Sequence, residues 1–158
     1  MIFDKDFLTE EEVRGIESML DNPRNALLYQ FIDDNHGLRF VYWAKWKDEI
    51  TTKVEPMVVG ILNRFADKHG IEVKSVRSAK VIALPQDEKG RRYIREVEDN
   101  IPNYFLYFFS DFDTHVRVGA NSFVPKAGDA AAFDITEPYF LTRPRHMPVA
   151  LALEIVYE

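Results

Sequence analysis

The chain has 158 residues, a formal net charge of −6 and no cysteine, which excludes disulfides, thiolate zinc sites and cysteine nucleophiles. A chain of this length buries roughly two thirds of its unfolded surface, so we expect residues 1–158 to form a single domain without a structural metal. No segment has the pattern of a secretory signal, and apolar runs such as Val149–Leu153 are far shorter than the ~20 residues that cross a bilayer, so we expect a cytoplasmic protein without a membrane partner.

The first part of the chain, about residues 1–72, is predicted to contain two helices. Thr9 and Glu12 have the spacing of a capping box, and the helix that they open should end at Asp21-Asn22-Pro23. A second helix should end at Gly70, which tolerates positive φ. Its apolar residues recur at helical spacing, at Val54, Met57, Val58, Ile61, Leu62 and Phe65. Two strands are predicted between the helices, over 27–32 and 38–43.

The second part, about residues 73–158, is predicted to be rich in strands. Residues 86–100 show no core pattern and should form a polar loop. The predicted strands cover 73–84, 103–110, 114–118, 122–124, 129–133, 139–142 and 149–157. Helices followed by many short strands indicate an α+β domain in which the helices pack on one face of an antiparallel sandwich or barrel.

The densest basic stretch lies in the predicted polar loop, at Lys89, Arg91, Arg92 and Arg95. Acidic residues are interleaved with it, which is typical of a solvated surface loop; alternatively, Arg91 and Arg92 dock a phosphate or carboxylate. The first fifty residues carry six basic and eleven acidic side chains, whereas nucleic-acid binding needs clustered cations. We therefore expect no nucleic-acid partner.

Two tryptophans, Trp43 and Trp46, are interleaved with lysines in the run Tyr-Trp-Ala-Lys-Trp-Lys. Their rings either cover the mouth of the predicted barrel or form a surface that binds a partner. A different hypothesis is a nucleic-acid-binding module that combines these rings with the basic loop. It predicts that binding weakens steeply as the salt concentration rises.

Several segments resemble the 2-oxoglutarate and Fe(II)-dependent oxygenases of the prolyl-4-hydroxylase type, in particular the short forms found in phages. The most specific segment is the turn and strand Val-Pro-Lys-Ala-Gly-Asp-Ala-Ala-Ala-Phe at 124–133. The other matching segments are 7–12, 61–70, 79–85, 104–108 and 149–157. The resemblance implies a double-stranded β-helix, or jelly roll, with the N-terminal helices packed on one face.

The resemblance also implies an iron site, whose ligands this chain lacks. Those enzymes hold iron with a His-x-Asp/Glu pair and a distal histidine. No histidine occurs at 86–95, where the pair is expected after Pro85, or at 138–141, where the distal histidine is expected. Arg143 and Arg145 lie near the expected 2-oxoglutarate-binding arginine but out of register. The resemblance therefore indicates a degenerate member with no assignable catalytic residue and no expected cofactor.

An alternative metal site remains open in the sequence. Asp113, His115 and His146 would supply a carboxylate and two imidazoles, which suits Fe(II), Mn(II) or Zn(II). Such a site would make the chain an active 2-oxoglutarate oxygenase or a cupin-like enzyme. The competing interpretation is a tight turn at 110–114 with an exposed histidine. The basic turn that holds Arg143 and Arg145 either grips an anionic group or is a plain connector.

The leading hypothesis is a catalytically degenerate oxygenase-like protein, encoded by a phage, that acts in the host cytoplasm by binding. Its ligand would be a protein, such as a host protein, or a small anionic molecule.

Overall fold

A computed structural model describes residues 1–20, 30–35, 37–46, 49–50, 54–95, 103–134, 136 and 138–158. The side chains of Trp46, Glu49 and Ile50 lie outside this description, as do residues 27–29 of the first predicted strand.

Both predicted helices are confirmed as α1 (Glu10–Leu20) and α2 (Glu55–His69). The Glu12 amide donates to Thr9 Oγ1 at 3.3 Å, and the Thr9 amide donates to Glu12 Oε1 at 3.3 Å, which completes the capping box. Gly70 ends α2 with φ 67°, and its amide donates to the Ala66 carbonyl. Within the described residues, neither helix has the length and apolar character that a membrane span requires.

The structure describes one strand before α1, three strands between the two helices and eight strands after α2. They are β1 (Ile2–Asp4), β2 (Gln30–Asp34), β3 (Gly37–Trp46), β4 (Glu49–Ile50), β5 (Val76–Pro85), β6 (Arg92–Arg95), β7 (Asn103–Phe108), β8 (Val116–Val118), β9 (Asn121–Phe123), β10 (Ala130–Asp134), β11 (Tyr139–Thr142) and β12 (Val149–Tyr157).

The described strands form two antiparallel sheets. The large sheet has the order β1-β10-β7-β12-β5-β3-β2, with β4 paired to β3, and the small sheet has the order β6-β11-β8-β9. The eight strands from β5 to β12 therefore divide equally between the two sheets, as in a double-stranded β-helix. This arrangement confirms the expected α+β jelly roll.

Each face of the large sheet has its own core. Alternate residues of β12, such as Leu153 and Ile155, pack against the helices together with Leu62 and Phe65 of α2. The residues between them, such as Ala152, face the small sheet and pack between the two sheets. Both helices therefore cover the outer face of the large sheet, as predicted.

Three strands, β1, β4 and β6, were missed by the pattern of the sequence, and β4 is only two residues long. The prediction of a structureless loop over 86–100 is wrong for β6, because Tyr93 is buried and pairs with Leu141 of β11. Only one side chain of this four-residue strand points deep into the core, so no period is visible. β1 has three residues, too few to show an alternation, and pairs with β10.

Candidate functional site

The space between the two sheets is packed with aromatic side chains around Tyr139. Its ring centroid lies 6.2 Å from Tyr93, 5.6 Å from Tyr104 and 5.5 Å from Phe133, with the rings near edge-to-face in each case. All four side chains are at most 4% exposed. We call these four residues the ring cluster. Edge-to-face contacts of this kind stabilise a core beyond simple burial.

A buried ion pair lies on the same inner face of the large sheet. Lys80 of β5 and Glu154 of β12 are register partners, and Lys80 Nζ lies 2.9 Å from Glu154 Oε1. The residues on either side of Glu154 face the helices, so Glu154 itself points between the sheets. The side chains are 6% and 1% exposed. Lys80 Nζ also lies 5.1 Å from the Trp43 ring, in a cation–π contact.

Two arginines, Arg39 and Arg95, contact tyrosine side chains of the ring cluster. Arg39 Cζ lies 4.8 Å over the Tyr93 ring, and its guanidinium donates to Asp34 at 2.7 Å. Arg95 Nε donates to the Tyr104 hydroxyl at 3.2 Å. Burial alone would lower the pKa of Arg95, but the nearby charge of Glu154 raises it above its ordinary value.

The carboxylate of Glu154 also affects the pKa of Tyr93. Burial, followed by the charge of Glu154, raises the pKa of Tyr93 well above its ordinary value. We call five residues the interior cluster: Lys80, Glu154, Arg39, Arg95 and Tyr93. The charge of Glu154 contributes to the raised pKa of both Arg95 and Tyr93.

At the rim of the roll, Asp87 organises the loop after β5. Its carboxylate accepts from the amides of Lys89 and Arg91 at 3.2 and 3.0 Å and from Arg91 Nε at 2.7 Å. Arg143 lies 3.5 Å away and donates to the carbonyls of Pro85 and Gln86 at 2.9 and 3.0 Å. Arg91 and Arg143, two residues of the predicted anion site, are thus paired with the carboxylate of Asp87.

Asp87→Asn should lower the melting temperature near neutral pH, because Arg91 and Arg143 lose their shared counter-charge. The hydrogen bond from Arg91 lowers the pKa of Asp87 to about 2, below the ~3.9 of an unfolded aspartate. A lowered folded-state pKa stabilises the fold above pH ~4, and this contribution disappears as the pH falls towards 2.

Thermal melts of the wild type and Asp87→Asn between pH 2 and 7 measure this effect. Glu88→Gln, an exposed carboxylate in the same loop, is the matched control and should leave the melting temperature unchanged. A difference between wild type and Asp87→Asn that stays constant down to pH 2 would contradict the assignment.

Arg92 and Arg145 come together at a pocket of about 320 Å³ that we call the rim pocket. It is lined by Arg92, Asp113, Thr114, His115, Thr142 and Arg145. The neighbours Tyr93, Val116 and Leu141 point between the sheets, so Arg92, His115 and Thr142 lie on the outer face of the small sheet. The structure thus brings together four residues that the sequence analysis assigned to two different sites.

The predicted metal triad is not assembled. Both oxygens of Asp113 accept backbone N–H groups, from Arg145 at 3.0 Å and from His146 at 2.7 Å. His115 Nδ1 lies 3.3 Å from the Ser122 hydroxyl. In the part of the chain that the structure describes, which includes the whole triad, no three His, Asp or Glu side chains are placed to hold a metal ion. Asp113 instead orders the turn before β12.

The predicted partner surface divides between described and undescribed side chains. Trp43 is half-buried, and its ring lies against Lys80, so it belongs to the interior rather than to a flat surface. Trp46 ends β3, and its side chain lies outside the description.

Several solved structures with a similar fold are described as 2OG-Fe(II) oxygenases or as 2-oxoglutarate-binding proteins. An oxidoreductase of the 2OG-Fe(II) oxygenase family from Burkholderia pseudomallei superposes with a TM-score of 0.74 at 10% identity, over 99% of this chain and 84% of that chain. HygX from Streptomyces hygroscopicus, with nickel and 2-oxoglutarate bound, has a TM-score of 0.69 at 10% identity, over 99% and 81%. A Pseudomonas putida prolyl-4-hydroxylase has a TM-score of 0.62 at 14% identity, over 99% and 91%.

These likenesses establish the fold: the chain has the jelly-roll fold of 2OG-Fe(II) oxygenases. No protein-family model matches the sequence, and no curated protein matches it.

The residues of this chain do not fit the iron site of that fold. The sequence has no histidine between His69 and His115, a stretch that includes all of β5, β6 and β7. The inner positions of β6 and β11 hold Tyr93, Tyr139 and Leu141, whose aromatic and aliphatic groups are not ligands for Fe(II).

Proposed function

We propose that this protein is a binding protein with the fold of a 2-oxoglutarate and Fe(II)-dependent oxygenase and without its metal chemistry. One observation carries the proposal: the interior between the sheets is filled by the ring cluster and by the buried Lys80–Glu154 pair. An oxygenase needs open coordination positions and room for a cosubstrate and oxygen there. Side chains that are nearly fully buried against one another leave little such room.

The interior ion pair supports the same proposal. A buried carboxylate that is not hydrogen-bonded or paired costs several kcal/mol. Glu154 already has a cationic partner in Lys80 at 2.9 Å. The pair satisfies charge within the protein, whereas a metal ligand would need its carboxylate oxygens directed at the ion.

On this proposal the protein binds a ligand without converting it, and the ligand is a protein or a small anionic molecule. A phage origin and a host protein as partner stay predictions from the resemblance to short phage forms, and a place in the cytoplasm stays a prediction from the pattern of the sequence.

Calorimetric titration under anaerobic conditions tests the proposal. Fe(II) and then 2-oxoglutarate are added to the purified protein, with an established 2-oxoglutarate oxygenase as the positive control. We expect no saturable heat for either ligand at concentrations that saturate the control. Binding of one equivalent of each would overturn the proposal and favour the active-enzyme alternative. Metal content of His115→Ala and His146→Ala would then show whether the predicted triad holds the metal.

A further inference from the structure

We infer that the rim pocket is an anion site that takes a phosphomonoester group. The site lies on the outer face of the small sheet and not between the sheets. The inference therefore goes beyond the proposed function, and its outcome does not depend on whether the interior binds a metal.

The first argument is that the two arginines of the pocket have unused charge. Most other arginines in the described residues are paired with a carboxylate within 4.0 Å, namely Arg14, Arg39, Arg64, Arg77, Arg91 and Arg143. Arg92 and Arg145 have no such partner among the described residues, although the chain as a whole is acidic. Two guanidinium groups line the same pocket, and neither forms an ion pair among the described residues, so together they outweigh the single carboxylate of the lining, Asp113, and favour an anion there.

The second argument is that the backbone of Arg145 is held in position before any ligand arrives and that its guanidinium packs against Gly90. Its amide donates to Asp113 Oδ1 at 3.0 Å, and its carbonyl accepts from Gln86 Nε2 at 2.7 Å. The guanidinium lies against Gly90, where a Cβ would come within 2.8 Å of Arg145 Nε. Gly90 has φ 61°, so glycine is favoured here for its backbone and also leaves room for the guanidinium. Such pre-ordering lowers the entropy cost of binding.

The third argument concerns the remaining lining. The negative charge of Asp113 is compensated by two backbone N–H donors, so it opposes an anion less than a bare carboxylate would. Thr142 contributes a hydroxyl, and the Thr114 hydroxyl is directed to the Thr142 carbonyl at 2.8 Å. His115 engages Ser122 through Nδ1, which leaves Nε2 for a ligand. The pocket is thus lined mainly by hydrogen-bond donors.

Charge and size decide the class of anion. A phosphomonoester carries about −1.5 to −2 charge at neutral pH and three acceptor oxygens, so both arginines can bond it at once, whereas a monocarboxylate offers two oxygens and a single charge. The planar fork of arginine bonds two phosphate oxygens at once. A volume of about 320 Å³ is at the small end of ligand pockets and suits a phosphate group with a few further atoms.

Titrations of the full chain with inorganic phosphate, followed by ³¹P NMR and calorimetry at low salt, test the inference. We expect saturable binding that acetate does not displace. Arg92→Gln and Arg145→Gln should each weaken binding about tenfold or more, since each removes a charge-assisted bidentate contact. Arg117→Gln is the matched control: Arg117 is exposed on the same face and donates to the Gly119 carbonyl outside the pocket, so its loss should change the affinity by less than about twofold.

Two further ligands distinguish the source of the phosphate. Tighter binding of glycerol 3-phosphate than of a phosphoserine peptide would assign the site to small phosphorylated molecules, and the reverse would assign it to a phosphorylated protein. Both results support the site. The inference is overturned if phosphate does not saturate, if Arg117→Gln weakens binding as much as the pocket variants, or if acetate competes equally. Circular dichroism of each variant checks that the fold is intact.

Discussion

Glu154→Ala should lower the free energy of unfolding by about 3–5 kcal/mol, because it leaves the Lys80 ammonium buried without a counter-charge. The Lys80 side chain is 6% exposed, so water cannot take the place of the carboxylate without opening the sheet. The nearby Trp43 ring supports the cation but does not neutralise it. The cost arises from the uncompensated charge and not from the strength of the pair itself.

The double variant Lys80→Met/Glu154→Leu separates these two contributions. Replacing both charges with apolar groups removes the uncompensated ion, so the double variant should recover most of the lost stability or exceed the wild type. Urea unfolding followed by tryptophan fluorescence measures all three proteins. Arg77→Ala, which breaks the far more exposed Arg77–Glu158 pair on the same strand, should cost less than about 1 kcal/mol.

A small loss for Glu154→Ala, similar to that of Arg77→Ala, would contradict the buried pair. It would mean that solvent reaches Lys80 between the sheets. Such an interior would have room for small molecules and would weaken the proposed loss of metal chemistry.

Elements with a long, regular apolar pattern were predictable from the sequence. Of the short strands, β8, β9 and β11 were predicted, whereas β1, β4 and β6 were not. Val149, Leu151, Leu153, Ile155 and Tyr157 recur at every second position of β12, and the predicted bounds Val149–Tyr157 agree with the structure. The helical spacing and the terminal Gly70 likewise predicted α2. β6 contributes Tyr93 and otherwise two arginines and an isoleucine, so its place in the core depends on pairing with β11, which no local pattern reveals.

The sites were less predictable than the fold, because they depend on register between distant strands. Glu154 stands alone as a charge in an apolar strand, on the face opposite Leu153 and Ile155, which is a signal for a buried partner. Identifying Lys80 as that partner requires the register of β5 against β12. The rim pocket shows the same limit: Arg92, His115 and Arg145 appeared as members of separate hypotheses until the small sheet placed them side by side.

Tyr139 gives the second large effect, and two substitutions at this position should behave in opposite ways. Tyr139→Ala should cost about 3–5 kcal/mol of unfolding free energy, because it opens a cavity at the centre of the ring cluster. Tyr139→Phe keeps the ring and removes a buried hydroxyl that has no hydrogen-bond partner among the described residues. Removing an unpaired polar group should be neutral or slightly stabilising.

Tyr104→Phe is the matched control in the same cluster. Its hydroxyl accepts from Arg95 Nε at 3.2 Å, so its removal should cost about 1–3 kcal/mol by leaving a charged donor without that acceptor. Urea unfolding of the three variants ranks them. Equal losses for Tyr139→Phe and Tyr104→Phe would show that the Tyr139 hydroxyl is solvated in the folded protein. Water at that point would mean free space between the sheets, in the region that the ring cluster is proposed to fill. The ranking of two hydroxyl deletions therefore tests the proposed function without adding metal or cosubstrate.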